Sequence, residues 1–306
     1  MSARSAEEAL FENPDSRARA LLRLGTVIAA VALLGLVAAI VLRFYNAGQL
    51  ESRYWKFFGW ATTWRFLFSG LVGTLASAGM AAMIALTVGL VFMAGRLSNV
   101  GPIRWVSVAL IEFLRGVPSL LLIYFCFLIL PPLGLKMSSY WMVTLPIGLS
   151  TAAVVAEVYR SGVLAVPRGQ AEAAASLALS GWQAFFDVVF PQAIRYVIPS
   201  LLAQLVIVVK DTTFGYVVTY AELMQNAKVL VANYSSLVPV YLIVALIYCV
   251  LNYALSKASR ALNKQLGASA TRGARTGRDD SLVSPGRADP VSRLSGGPDG
   301  RKVDSI

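Results

Sequence analysis

Histidine is absent from all 306 residues. With it go histidine-ligated haem, most zinc sites and the usual imidazole general base. Cysteine is nearly absent too. Cys126 and Cys249 lie far apart, each within an apolar run, and read as buried free thiols rather than a disulfide or a metal site. Charge is scarce: 14% of residues are charged against 57% hydrophobic, and the mean hydropathy is +0.65. Soluble domains rarely combine such apolarity with so few charges, so an integral membrane protein is expected. No cofactor, metal or covalent chemistry is called for; the chain reads as one that moves something.

What remains is long runs of alanine, leucine and valine, without the roughly ten-residue alternation of outer-membrane strands. Helices must carry the crossings, because they satisfy their own backbone polar groups in lipid. The expected fold is all-α, with about six transmembrane helices. A polar tail, residues 1–23, precedes an uncharged run at 24–42. A cleaved signal peptide would have a shorter apolar core and a small-residue cleavage site, for which "VLRFYNAGQ" is poor, so this helix is read as retained. In the second run, 69–94, Gly73, Ser77, Ala81, Ala85 and Gly89 recur at every fourth residue. That smooth stripe lets another backbone approach closely. Further spans are read at 105–130, 141–159, 198–218 and 237–255. Residues 267–306, rich in Gly, Ser, Arg, Asp and Pro, are expected to form a disordered cytoplasmic tail.

Lysine and arginine collect on the cytoplasmic side of membranes. Arg17, Arg19 and Arg23 precede the first span, and Lys257, Arg260 and Lys264 follow the last. Arg96, Arg104, Arg160, Arg168 and Arg195 sit between alternate spans, while Arg43, Arg53, Lys56 and Arg65 in the first outside loop weaken the contrast. Both termini are expected in the cytoplasm. The net charge of +11 then reflects topology and attraction to anionic lipid. No aromatic-interleaved basic patch points to nucleic acid.

One cytoplasmic stretch, residues 168–193, reads "RGQAEAAASLALSGWQAFFDVVFPQA". Residues 171–180 favour helix strongly. Gly181 breaks the pattern, and 182–190 form a second, aromatic helix that is expected to halt at Pro191. Two short helices at an angle make a rigid projection, suited to receive force from a soluble partner.

The stretch resembles the EAA loop of ABC importer permeases, whose pattern is E-A-A-x(3)-G-x(9)-I-x-L-P. Glu172, Ala173, Ala174 and Pro191 match; Ala178 replaces the glycine, Val188 the isoleucine and Phe190 the leucine. Alanine is not expected in the left-handed conformation that glycine permits. Either the turn at 178 is helical, or Gly181 takes over the bend. "EFLRGVP", "AEVYRSGVLAVPRGQAEAA" and "VKDTTF" resemble, in order, stretches of the polar amino-acid branch, the histidine- and glutamate-type permeases, with Val117 replacing a threonine. "AELMQ" continues in register, and the likeness covers residues 69–266. It implies a five-helix MetI-like core preceded by one extra helix, in the plasma membrane of a bacterium. It further implies an ABC ATPase dimer, a second permease subunit, identical or not, and an extracytoplasmic amino-acid-binding protein as partners. The ATPase-coupling residues it implies are Gln170, Glu172, Ala173, Ala174, Ala178, Gly181 and Pro191. Within the branch it leans to glutamate or aspartate as cargo, with basic amino acids or histidine as the alternative. Leu294–Gly297 spell "LSGG", the start of the ABC ATPase signature, but with no G-x-x-x-x-G-K-[ST] loop in the chain this is chance.

Ionisable groups within spans are costly and so functional candidates. Glu112 and Arg115, and Glu157 and Arg160, stand at i,i+3, where helical side chains pair. Structural ion pairs are the favoured reading for both, with Glu112 and Arg115 kept as pathway candidates. Lys210, Asp211 and Thr212 are the other pathway candidates, Lys210 as a partner for a substrate carboxylate. An ion-driven secondary transporter is the rival class. It often shows paired repeats and helices broken at matching positions, and no convincing internal repeat is present.

Overall fold

A computed structural model describes the backbone of residues 16–279 and the side chains of residues 20–263. Residues 1–15 and 280–306, parts of the two expected tails, lie outside the described residues. Every regular element among the described residues is helical. Five helices are long and apolar enough to cross a membrane, or up to six when one bent pair counts as a single span.

Helix α1 (Ser16–Asn46) contains the expected first span, whose residues 24–42 are uncharged and apolar on every side, as a membrane-spanning helix is. Its most apolar window buries nothing against the other helices. Two 3-10 turns, Ser52–Tyr54 and Lys56–Gly59, carry the chain to α2 (Ala61–Leu97). An aromatic clasp holds this linker. Phe57 stacks on Tyr234 with ring centres 4.4 Å apart, Thr63 Oγ1 donates to the Phe57 carbonyl and Trp64 Nε1 to that of Phe58.

The stripe on α2 does what its spacing predicts. Ser77, Ala81, Ala85 and Gly89 are buried, and α2 packs along α5 (Ser139–Ala165) more extensively than any other pair of elements. A Cβ on Gly89 would come within 2.8 Å of Val155, and one on Gly148 within 2.9 Å of Ile84. Three apolar clusters follow one another along α2. Leu67 marks the first, Ala78 and Ala81 the second, Ala85 and Met93 the third.

Three expectations need correction. The span read at 105–130 is broken into α3 (Gly101–Gly116) and α4 (Ser119–Ile129), bent by 97°. Val117 is extended, at φ −93° and ψ 122°, because Pro118 disfavours helix in the residue before it. Pro191 does not halt a helix either. The short α7 (Gly181–Gln183) runs through a π-helical turn, Ala184–Val189, directly into α8 (Phe190–Asp211). Pro191 falls at the start of α8, where a missing N–H is tolerated, and the wider π turn absorbs the change of register. The span read at 198–218 therefore begins at the projection itself. Finally, Ala178 is left-handed, at φ 57°, so neither alternative for that turn holds.

After α8 a 3-10 turn, Thr212–Val218, leads to α9 (Leu223–Tyr234), which runs antiparallel to the first half of α2. Leu223 N donates to Thr74 Oγ1, Asn226 Nδ2 donates to the Phe66 carbonyl, and Tyr234 reaches Phe57. Thr74 is about 20 Å along α2 from Ala61 at 1.5 Å per residue. Counted from residue 69, where the second span is read to begin, Thr74 is about 7.5 Å inside it at 1.5 Å per residue, so the start of α9 falls within the apolar span. α10 (Leu237–Asp279) completes the bundle. The chain divides into a unit of residues 1–260 and another of 261–306; in the second, the described residues 261–279 are helical, past residue 267, where the tail was expected to begin.

Candidate functional site

The projection is built from helix ends. α6 (Arg168–Ser176) closes with paired hydrogen bonds: Leu179 N to the Ala174 carbonyl at 3.2 Å and Ala178 N to that of Ala175 at 2.9 Å. This is the glycine-type helix stop, made here with alanine at the left-handed position. Ser180 then starts the next helix with a capping box: its hydroxyl accepts from Gln183 N, while Gln183 Oε1 accepts from Ser180 N at 3.0 Å. Gln192 Nε2 donates to Gln170 Oε1 at 3.2 Å, bracing α6 against the start of α8. Ala174 is buried, whereas Glu172 and Ala173 face out. Beside them Leu177 and Trp182 are 77% and 74% exposed. The tip of the braced element thus carries bare apolar side chains beside its outward-facing Glu172.

At the same end of the bundle, Glu112, Arg115, Glu157 and Arg160 come together as one network. Arg96 joins them. Its Nη1 lies 3.3 Å from Glu112 Oε1 and 2.8 Å from Glu157 Oε1, the latter a charge pair without hydrogen-bond alignment. Arg160 Nε is 3.3 Å from Glu157 Oε2, and Arg115 Nη1 is 3.8 Å from Glu112. The i,i+3 pairs exist, but a cation far away in sequence ties α2, α3 and α5 together.

Deeper in, Asp211 is half-buried at the end of α8, and its Oδ2 accepts from Ser119 Oγ at 3.4 Å. Ser119 opens α4, so Asp211 meets α3–α4 at its break. Lys210 is exposed. Thr212 is fully buried, its hydroxyl donating to the Val209 carbonyl at 2.8 Å. Residues 85–267 match the family described as the binding-protein-dependent transport system inner membrane component. The chain belongs to this family. The glutamate transport system permease protein GluD of Corynebacterium glutamicum is 32% identical to it over 229 residues, 74% of this chain and 84% of that one. The probable glutamine ABC transporter permease protein GlnP of Bacillus subtilis is 34% identical over 200 residues, 64% of this chain and 92% of its own. An amino acid ABC transporter crystallised with histidines superposes at a TM-score of 0.65, with 28% identity and 68% of this chain covered against 98% of the other.

This inner-membrane permease is thus an amino-acid ABC transporter component, and permeases of its family work with an ATPase and a substrate-binding protein. Four of its site residues escape a reading of the sequence. Ser180 and Gln183 were findable, since S-x-x-Q is the capping-box pattern. Lys228 places its Nζ 5.0 Å from the ring centre of Tyr216, in the 3-10 segment that follows Asp211. Glu222, within "AELMQ", has no exposed surface. A lone acid between apolar segments was its signal.

Proposed function

We propose that this permease is the membrane subunit of an ATP-driven importer of acidic amino acids, glutamate or aspartate. A separate ATPase dimer seats the projection 168–193, a second permease subunit completes the pathway, and an extracytoplasmic binding protein delivers the cargo. Both termini are cytoplasmic, as the arginines flanking the bundle favour. The observation that carries the reading is the braced projection, which presents Glu172 and Ala173 outward beside bare Leu177 and Trp182. α7 and the π turn lead without interruption into α8, which ends at Asp211. Force applied at the projection therefore reaches Asp211, beside the α3–α4 break, through a continuous helical run. ATP binding and hydrolysis bias a two-state membrane element through contacts made at one end of it.

For the cargo, GluD supplies the name and the charges supply a physical reason. Lys210, next to Asp211, and Lys228, over the Tyr216 ring in the turn that follows, are exposed cations, and such groups within spans belong beside an aqueous path. They suit an anionic side chain. A glutamine or histidine cargo is the second reading, favoured by GlnP and by the transporter crystallised with histidines.

The test is uptake by the reconstituted complex. Glu172→Lys is expected to abolish ATP-driven uptake and release the ATPase from the membrane; undiminished uptake would remove the coupling role. Competition against labelled glutamate by aspartate, glutamine and histidine then ranks the cargo.

A further inference from the structure

We propose that Glu222 is a positioning residue for transport: it fixes the half-helix α9 and the turn Thr212–Val218, and through them holds Asp211 in place. The inference rests on the reading of the Asp211 break as part of the pathway.

Glutamate is an unusual choice for a helix start, where serine, asparagine and aspartate serve with shorter arms. Here the longer arm is used in full. Glu222 Oε2 accepts from Met224 N at 2.8 Å and Tyr248 Oη at 3.1 Å, and Oε1 accepts from Gln225 N at 2.6 Å. Leu223 N, the next free donor of the helix start, goes to Thr74 Oγ1 at 3.2 Å. The carboxyl therefore sees hydrogen-bond donors from two helices. None of the ion pairs among the described residues includes it. The positive end of α9 and these donors take the place of a cation.

Glycines close the site. A Cβ on Gly215 would come within 2.9 Å of Glu222 Cγ, so glycine lets the turn after Asp211 lie against this side chain without displacing it. A Cβ on Gly73 would come within 2.2 Å of the Ala221 carbonyl, and Tyr220 Oη donates to the Gly73 carbonyl at 2.9 Å. Residues 220–223, with the fully buried Glu222 among them, thus join α2, α9, α10 and the turn carrying Asp211's neighbours. A capping role alone would not need Tyr248. The link to α10 makes this a junction rather than a cap.

The experiment uses the full complex in proteoliposomes, with labelled glutamate, glutamine and histidine as probes. Glu222→Gln puts an amide N–H where only donors converge, and Tyr248→Phe removes the α10 arm alone. With ATPase association unchanged, Glu222→Gln is expected to raise the KM for uptake about tenfold, the scale of a lost hydrogen bond to a charge. Tyr248→Phe is expected to raise it less. A fall in maximal rate with KM unaltered overturns the proposal, since that is what fewer folded complexes produce. If Glu222→Gln does not assemble, the KM of Tyr248→Phe decides. A spin label at Ala232→Cys, on the exposed side of α9, in a chain carrying Cys126→Ser and Cys249→Ser, reports attachment without transport. Its spectrum is expected to sharpen with Glu222→Gln; an unchanged spectrum overturns the proposal even where none of the probes is transported, which would itself count against the importer reading alone.

Discussion

Charge is handled in opposite ways at the two levels of α2. At its end, Arg96 gathers Glu112 and Glu157 with Arg115 and Arg160, and all five side chains keep some contact with solvent, from 20% to 57% exposed. In its middle, Glu222 stands alone among the acids and is met by hydrogen-bond donors. Where water reaches, several weak pairs share the charge, and the loss of one leaves the others. In the interior a lone carboxyl is held only where both of its oxygens find donors, because desolvation of a charge is severe. The first arrangement tolerates movement between helices; the second does not. The comparison thus assigns rigidity to the middle of the bundle and yielding contacts to the end nearest the projection.

The largest expected effect breaks the rigid half. Gly73→Ala drives a methyl group into the Ala221 carbonyl and must part α2 from the start of α9. It is expected to cost about 3 kcal/mol, the upper range for overpacking a close contact. Gly79→Ala is the control within the same helix, since a Cβ there meets nothing within 4 Å; it is expected to be neutral or stabilising by up to about 1 kcal/mol. Thermal unfolding of the purified complex compares them. Equal melting temperatures for the two variants would sink the argument that α9 is seated backbone to backbone.

A smaller effect sharpens the yielding half. Arg96→Ala leaves Glu157 with Arg160 and Glu112 with Arg115, so the expected cost is about 1–2 kcal/mol, between a surface pair and a buried one. Removing Glu157 as well recovers part of that loss, and a double-mutant cycle by thermal unfolding measures the coupling. If Arg96→Ala costs as much as Gly73→Ala, the distinction between the two levels of α2 fails.

The contrast also explains what could be read from the sequence. The Gly73–Gly89 stripe was legible because its period is local to one helix, and so were the i,i+3 pairs. Arg96 was visible as a topological charge, but its partners lie in α3 and α5, and no local spacing joins them. The break at Gly116–Pro118 was written in the chain as X-Pro and was overridden by the run of hydrophobicity on both sides. Pro191 misled in the other direction: a proline ends a helix only if its neighbours cannot change register, and the π turn at Ala184–Val189 does so. Glu222 was passed over because its meaning depends on Tyr248 and Thr74, each on a different helix.

The smallest expected effect lies at the projection and runs toward greater stability. Ala178 sits at φ 57°, where a Cβ crowds the following carbonyl and costs an L-residue roughly 1–2 kcal/mol. Ala178→Gly relieves that strain but gives the unfolded chain more freedom, so the net gain is about 0.5–1 kcal/mol. The gain is local to the stop of α6. The amides to watch are Ala178 N and Leu179 N, which donate to the Ala175 and Ala174 carbonyls. Their hydrogen exchange is expected to slow by up to about fivefold in Ala178→Gly, with no change at the amides of α9. Faster exchange would mean that alanine is tolerated without strain. The stop of α6 would then owe its firmness to the Ser180–Gln183 box that follows, and Ser180→Ala, not Ala178→Gly, would be the substitution that moves the projection.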